Sequence, residues 1–315
     1  MALEEYSISN ALFSAEPTLG DHRAYANLRQ TKVQPEVRAW LEETYSRHKD
    51  ELDPDFVPNF RRETAKRVSE LFFAVAFRAA GWEPVGRATG FDLAYQMGEH
   101  RLLVEVTTPG PPPSDSWSED VRDGVTHYSG DRQTLEAGLL RLTTGFASKA
   151  DRIAELLDLN LKLSGDYKVI AISGFQISQE TPFAPSSCGQ IPDFIRAFLP
   201  IGDQYVKFPI GPGSDEREAT WGYESAASIQ KPSGATVERT AFLGQRFPHV
   251  EAVAYSTINL LGLTHPHWQV GVLHNAFSNW NGQRPNLGMG NEYFVTVDDE
   301  YFEVRRCKLP GTPDD

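Results

Sequence analysis

Apolar residues recur along this chain at two periods, and the switching between them predicts an α/β fold. Over residues 61–80, Val68, Leu71, Phe72, Val75 and Ala79 return every three or four positions, the spacing of one buried helical stripe. Gly81 follows, where a glycine commonly closes a helix. A weaker stripe of Val37, Trp40, Leu41 and Tyr45 predicts a helix over 35–49, ended by Asp50-Glu-Leu-Asp-Pro-Asp. A period of two then takes over. Residues 91–96 alternate, Met97-Gly-Glu-His is a turn, and Arg101-Leu-Leu-Val-Glu-Val-Thr-Thr is rich in aliphatic and β-branched residues. There is room for another short strand at 82–88. Pro109-Gly-Pro-Pro-Pro stops the second strand and opens a polar loop to about Arg132. A helix or helix pair is expected over 135–161, through Phe146, Ala150, Ile153, Leu156 and Leu157. Lys168-Val-Ile-Ala-Ile-Ser-Gly is a short unbroken apolar run, the pattern of a strand covered on both faces.

This divides the chain into an N-terminal helical segment (1–58), an α/β core (59–178), an insertion (179–248) and a β-rich portion (249–309) packed on the core as one unit. The insertion mixes Pro, Gly, Ser and charge and is expected to be partly helical. Strands are predicted in the last portion at 250–256, 269–274, 293–297 and 301–305.

With 43 acidic against 30 basic side chains, the net charge is −13. Broad, non-specific nucleic-acid binding needs clustered Lys and Arg, so any such contact is confined to a local basic strip. Two cysteines, Cys188 and Cys307, cannot make a disulfide framework or a cysteine zinc site, which favours a reducing compartment. The N-terminus lacks a basic start followed by an apolar stretch, and no apolar run approaches the roughly 20 residues a bilayer requires. The expectation is a cytoplasmic protein with no membrane partner.

The candidate chemistry is acidic. Glu105 shares a strand face with Thr107 while Val104 and Val106 point the other way. A carboxylate on an otherwise apolar strand is costly to bury unless something cationic meets it. Asp92, among Phe91 and Leu93 on the neighbouring strand, poses the same problem. Two such carboxylates converging at one sheet edge repel, and a divalent cation relieves the repulsion; Mg²⁺ favours one or two carboxylates with water and phosphate oxygens. Glu63 and Glu70 fall seven residues apart on nearly one helix face, and Glu70 lies nearer the middle of the helix. Arg61, Arg62, Lys66 and Arg67 form the densest basic cluster; they are candidates for a phosphate backbone, against ordinary pairing with Glu63 and Glu70 along the helix.

Gly90-Phe-Asp92-Leu, then Leu-Leu-Val-Glu105-Val-Thr107 with twelve residues between Asp92 and Glu105, behind an amphipathic helix, resembles the PD-(D/E)XK nuclease superfamily over about a third of the chain. The resemblance implies a restriction-endonuclease-like αβββαβ core, Mg²⁺ (or Mn²⁺) held by Asp92, Glu105 and the carbonyl of Val106, assistance from Glu70, and hydrolysis of nucleic acid, DNA foremost. Thr107 stands where that family has lysine. Families with the same fold sometimes recruit a lysine from another element, and the candidates here are Lys149 on the following helix, the preferred one, and Lys66 on the first. Without such a lysine, the resemblance implies a silent module that binds nucleic acid or protein, for instance within a defence system. A homodimer or a protein partner stays open.

Three other groups carry weaker chemistry. His265-Pro-His267 with His274 suggests a zinc hydrolase, but no Cys or Asp sits at ligand spacing, and His274-Asn275 closing a strand suits a turn. Cys188 has no histidine near it to act as a base. Gly288-Met-Gly290 lacks the flanking strand and helix of a phosphate loop.

Overall fold

The structure is a computed structural model that describes residues 11–16, 18–30, 35–86, 90–111, 117–122, 125–130, 132–159, 163, 165–177, 191–208, 220–258, 269–280, 284–298 and 301–308. Four helices come first: α1 (Arg23–Gln30), α2 (Pro35–His48), α3 (Phe56–Phe60) and α4 (Thr64–Ala79). Strands β1 (Glu83–Pro84), β2 (Leu93–Met97), β3 (His100–Thr107), β4 (Trp117–Arg122) and β5 (Val125–Gly130) follow, then α5 (Arg132–Leu159) and β6 (Tyr167–Ser173). A 3₁₀ turn (Asp193–Ala197) leads to β7 (Ile201–Lys207), β8 (Thr220–Ser225), β9 (Ser228–Gln230) and β10 (Thr236–Glu238). The last strands are β11 (Ala252–Ser256), β12 (Gly271–His274), β13 (Asn291–Val297) and β14 (Phe302–Lys308).

Eight of these strands form one mixed sheet in the order β1-β2-β3-β6-β11-β12-β13-β14. Its centre, β3, β6 and β11, is parallel. Every residue of β6 is buried, as its unbroken apolar run predicted, because both faces of the sheet are covered. Val104, Val106, Val169 and Ala171 join one core with α4 and α1–α3, while Leu103, Ile170 and Ile172 join a second with Leu142, Phe146 and Ile153 of α5. The alternation along β3 thus sorts its side chains between two helical layers.

Helix α4 departs from the single-stripe expectation. Val68, Leu71 and Phe72 are buried, but Val75 is half-buried and Ala79 exposed, whereas Phe73, Ala74, Ala76 and Phe77 have no exposure. The helix lies between the sheet and the N-terminal helices, so it is apolar nearly all round. Its end is where the glycine predicted: the amides of Gly81 and Trp82 donate back to the carbonyls of Arg78 and Phe77, each at 3.0 Å. Residues 1–58 contribute to the same core through Tyr25, Val37, Leu41 and Phe56. Glu42, buried on α2, accepts the amides of Leu12 and Phe13 at 3.1 Å.

The expected loop after Pro109 contains the β4–β5 ribbon, and 132–159 is one helix rather than a pair. The described part of the insertion is a 3₁₀ turn with the β7–β8 and β9–β10 ribbons, not α-helix. β8 is at least partly exposed throughout, so no alternation of burial marked it in the sequence. Strands β11–β14 do not pack on a finished core. They complete the sheet, with β11 hydrogen-bonded to β6. No helix among the described residues is long and apolar enough to cross a membrane.

Candidate active site

The β2–β3 hairpin sets the site's register. Its two-residue turn begins with Gly98 at φ +60°, the left-handed backbone that a tight hairpin turn of this kind gives to glycine. Met97 then pairs with His100 and Leu93 with Val104. One further step along the same register places Asp92 opposite Glu105, so the two carboxylates are direct cross-strand neighbours.

Two cations from α5 meet them. Lys149 Nζ donates to Asp92 Oδ2 at 3.1 Å and to Glu105 Oε2 at 2.6 Å. Arg152 Nε lies 3.2 Å from Glu105 Oε2, and its Nη2 donates to the carbonyl of Gly90 at 2.8 Å. Asp92 Oδ2 also accepts the amide of Val106 at 2.7 Å. Glu105 is fully buried, while Asp92 and Lys149 are 13% and 17% exposed, so solvent reaches the rim and not the floor. Burial and the Asp92 charge outweigh the pull of Lys149 and Arg152 and hold the Glu105 carboxyl above its ordinary range. Burial works against the Lys149 charge, but Asp92 and Glu105 overcome it and raise the ammonium's pKa.

Local packing explains why a helix, not the strand, delivers the amine. Gly145, one turn before Lys149, lies so close to the end of β3 that a Cβ there would be 2.8 Å from Pro109 Cγ and 3.5 Å from the Thr107 side chain. Thr107 therefore faces α5 directly, and the amine comes from Lys149. Gly90 (φ +95°) lets the chain pass under the same helix; a Cβ there would lie 2.5 Å from Leu156 Cδ2.

Glu70 approaches from the opposite layer. Its Oε2 accepts Arg67 Nη1 at 2.8 Å, whereas Oε1 has no hydrogen-bond partner and lies 3.7 Å from Lys66 Nζ. Burial lifts its carboxyl to about 7 against the pull of Arg67, and the Asp92 charge adds to the rise, so Glu70 and Asp92 share one electrostatic neighbourhood.

Three members of the basic cluster, Arg61, Lys66 and Arg67, are paired with carboxylates, and of the four Arg67 alone is buried. Arg67 is 3% exposed and sits among Asp53, Asp55, Glu63 and Glu70. Arg61 pairs with Asp21 at 2.8 Å and lies over the Tyr25 ring. Lys66 is held between Glu63 and Glu70 at 3.6 and 3.7 Å, leaving Arg62 as the exposed member. Arg67, buried among four carboxylates, cannot meet a phosphate, whereas Arg62 can.

His274 is buried with both ring nitrogens engaged, Nδ1 with the Tyr167 hydroxyl and Nε2 with Glu292, each at 2.8 Å. That leaves neither for a zinc ion. Asn275 organises the following turn, donating to the carbonyls of Phe247 and Val250 and accepting the amide of Phe277. The amides of Gly288 and Met289 are given to Glu292, so they cradle no phosphate. His265, His267 and Cys188 lie outside the described residues. Among the described residues no three His, Cys, Asp or Glu side chains form a ready metal cluster.

The donor chemistry of the Asp92–Glu105 pair nevertheless suits a hard divalent cation. Asp92 Oδ1 accepts no hydrogen bond from the described residues. Val106 sends its amide to Asp92, and in extended backbone the amide and carbonyl of one residue point to the same edge. Comparison of the chain with protein-family models, with curated proteins and with solved structures gave no match.

Proposed function

We propose that this protein is a Mg²⁺-dependent phosphodiesterase acting on nucleic acid, DNA foremost, on a core of the PD-(D/E)XK kind. The observation that carries the reading is the amine of Lys149 within hydrogen-bonding distance of both Asp92 and Glu105. The order α4, β1–β3, α5, β6, interrupted by the β4–β5 ribbon, is consistent with that core.

In this reading Asp92, Glu105 and the Val106 carbonyl hold the cation, with Glu70 as an additional acidic group. The bound ion would polarise a phosphoryl oxygen and lower the pKa of a coordinated water. Lys149 has the position and the charge to orient the attacking water and to offset the charge that grows on the phosphoryl oxygens. Arg152 ties Glu105 to the backbone of Gly90 and so fixes the strand pair that presents both acids.

One observation favours a second reading, a silent binding module: Lys149 and Arg152 already balance the two carboxylates. Nicking of supercoiled plasmid and of single-stranded circular DNA in Mg²⁺ or Mn²⁺ separates the two. The wild type is expected to nick and Glu105→Ala to be inert; equal activity in both would remove the assignment.

A further inference from the structure

We propose that the cleft between α5 and the β9–β10 hairpin is a groove for the sugar–phosphate backbone of a nucleic-acid strand, with Arg141 and Lys231 as its phosphate contacts. This rests on the reading of the Asp92–Glu105 site as one that takes a phosphodiester. The cleft has a volume of about 830 Å³, with Leu140, Arg141 and Thr144 on the helix side and Gln230, Lys231 and Ser233 on the hairpin side.

Charge is the first argument. On this acidic chain Arg61, Arg67, Lys149, Arg152, Lys168 and Arg196 each hold a carboxylate. Arg141 and Lys231 are exposed, and neither forms an ion pair with a described residue. Glu136, also at the cleft, is itself engaged in an interaction. Two exposed cations that hold no carboxylate, lining one concavity of an acidic chain, favour an anion there.

Position is the second. Arg141, Gly145, Lys149 and Arg152 follow one another at helical spacings of four, four and three, so they lie along one face of α5. Gly145 abuts Thr107 and Pro109, so the earlier turns of α5 project past the carboxyl edge of the parallel strands, where open α/β sheets take their ligands. Eight residues of helix put Arg141 about 12 Å from Lys149 along the axis. A strand that follows this face with its reacting phosphate at Lys149 presents another of its phosphates at Arg141. The groove extends the site along α5.

Fluorescence anisotropy of a fluorescein-labelled single-stranded 15-mer, with the full chain in EDTA at several salt concentrations, tests this. Both side chains are exposed, so the Arg141→Ala/Lys231→Ala variant is expected to fold, which circular dichroism checks. The variant should bind more weakly, and the magnitude of its log K against log [salt] slope should fall by about 1.4, the loss of two phosphate contacts on a single strand. Wild-type affinity and slope in the variant, or no binding by the wild type, would overturn the groove. Binding that depends on Arg141 and Lys231 without hydrolysis in Mg²⁺ removes the nuclease reading alone. Hydrolysis with equal KM in both proteins removes the groove alone.

Discussion

Replacing Lys149 with methionine keeps most of the side chain's volume and removes only its charge. Its amine bridges Asp92 at 3.1 Å and Glu105 at 2.6 Å, and Glu105 has no exposure. Unit charges about 3 Å apart attract by about 5 kcal/mol at an effective dielectric of 20, most of it offset by the desolvation of burying them. Removing one partner of a buried pair costs about 3–5 kcal/mol, because the remaining charge loses its compensation. Lys149 is 17% exposed and Arg152 stays beside Glu105, so the lower end applies. Lys149→Met is therefore expected to lose about 3 kcal/mol in urea unfolding at pH 7.5 in EDTA. Two facing carboxylates without their ammonium should bind a divalent cation more readily, so millimolar Mg²⁺ should restore more stability to the variant than it adds to the wild type. A loss below about 0.5 kcal/mol in EDTA, the scale of an ordinary surface change, would refute this description of the site. So would an identical Mg²⁺ response in the two proteins.

Gly90→Ala forces a side chain into left-handed backbone beneath Leu156 and should cost about 1–2 kcal/mol, read as a lower urea midpoint. An unchanged midpoint would mean that the turn before Asp92 is not held in that form. Arg152 is half exposed, so Arg152→Ala should cost only about 1 kcal/mol, and a double-mutant cycle with Glu105→Gln should return a coupling of that size. Additive losses would show that the ion pair is not formed. Burial raises the Glu251 carboxyl from its ordinary 4.5 to about 7 despite Lys168 beside it. The native state thus keeps a proton that the unfolded chain releases, so this group lowers stability as pH rises from about 4.5 through 7. Glu251→Gln should flatten that decline, and parallel stability curves for the two proteins would contradict it.

Much of the fold was written in local pattern. The apolar run of β6 and the Phe77–Gly81–Trp82 end of α4 needed no tertiary information, because burial on both faces and a helix terminus leave their own signatures. Glu105 stood out for a physical reason, as a charge on a strand that could not otherwise be solvated. What escaped was non-local. β11 joins β6 across more than eighty residues of sequence, a pairing that no periodicity encodes. The β4 strand, Trp-Ser-Glu-Asp-Val-Arg, has the composition of a loop. Arg152 meets Glu105 from 47 positions away, and its spacing of three from Lys149 was the available clue. The Arg67 nest was half legible: Glu63 and Glu70 are helical neighbours, but Asp53 and Asp55 arrive from beside α3. The turn at Gly98 was visible, and the opposition of Asp92 to Glu105 follows from counting outward from it.

Calorimetric titration of Mn²⁺ into the metal-free protein tests most directly whether Asp92 and Glu105 jointly bind a divalent cation. A single saturable site is expected in the wild type, lost in both Asp92→Asn and Glu105→Gln while each variant stays folded. No heat of binding at millimolar metal, or the same isotherm in all three proteins, would contradict it.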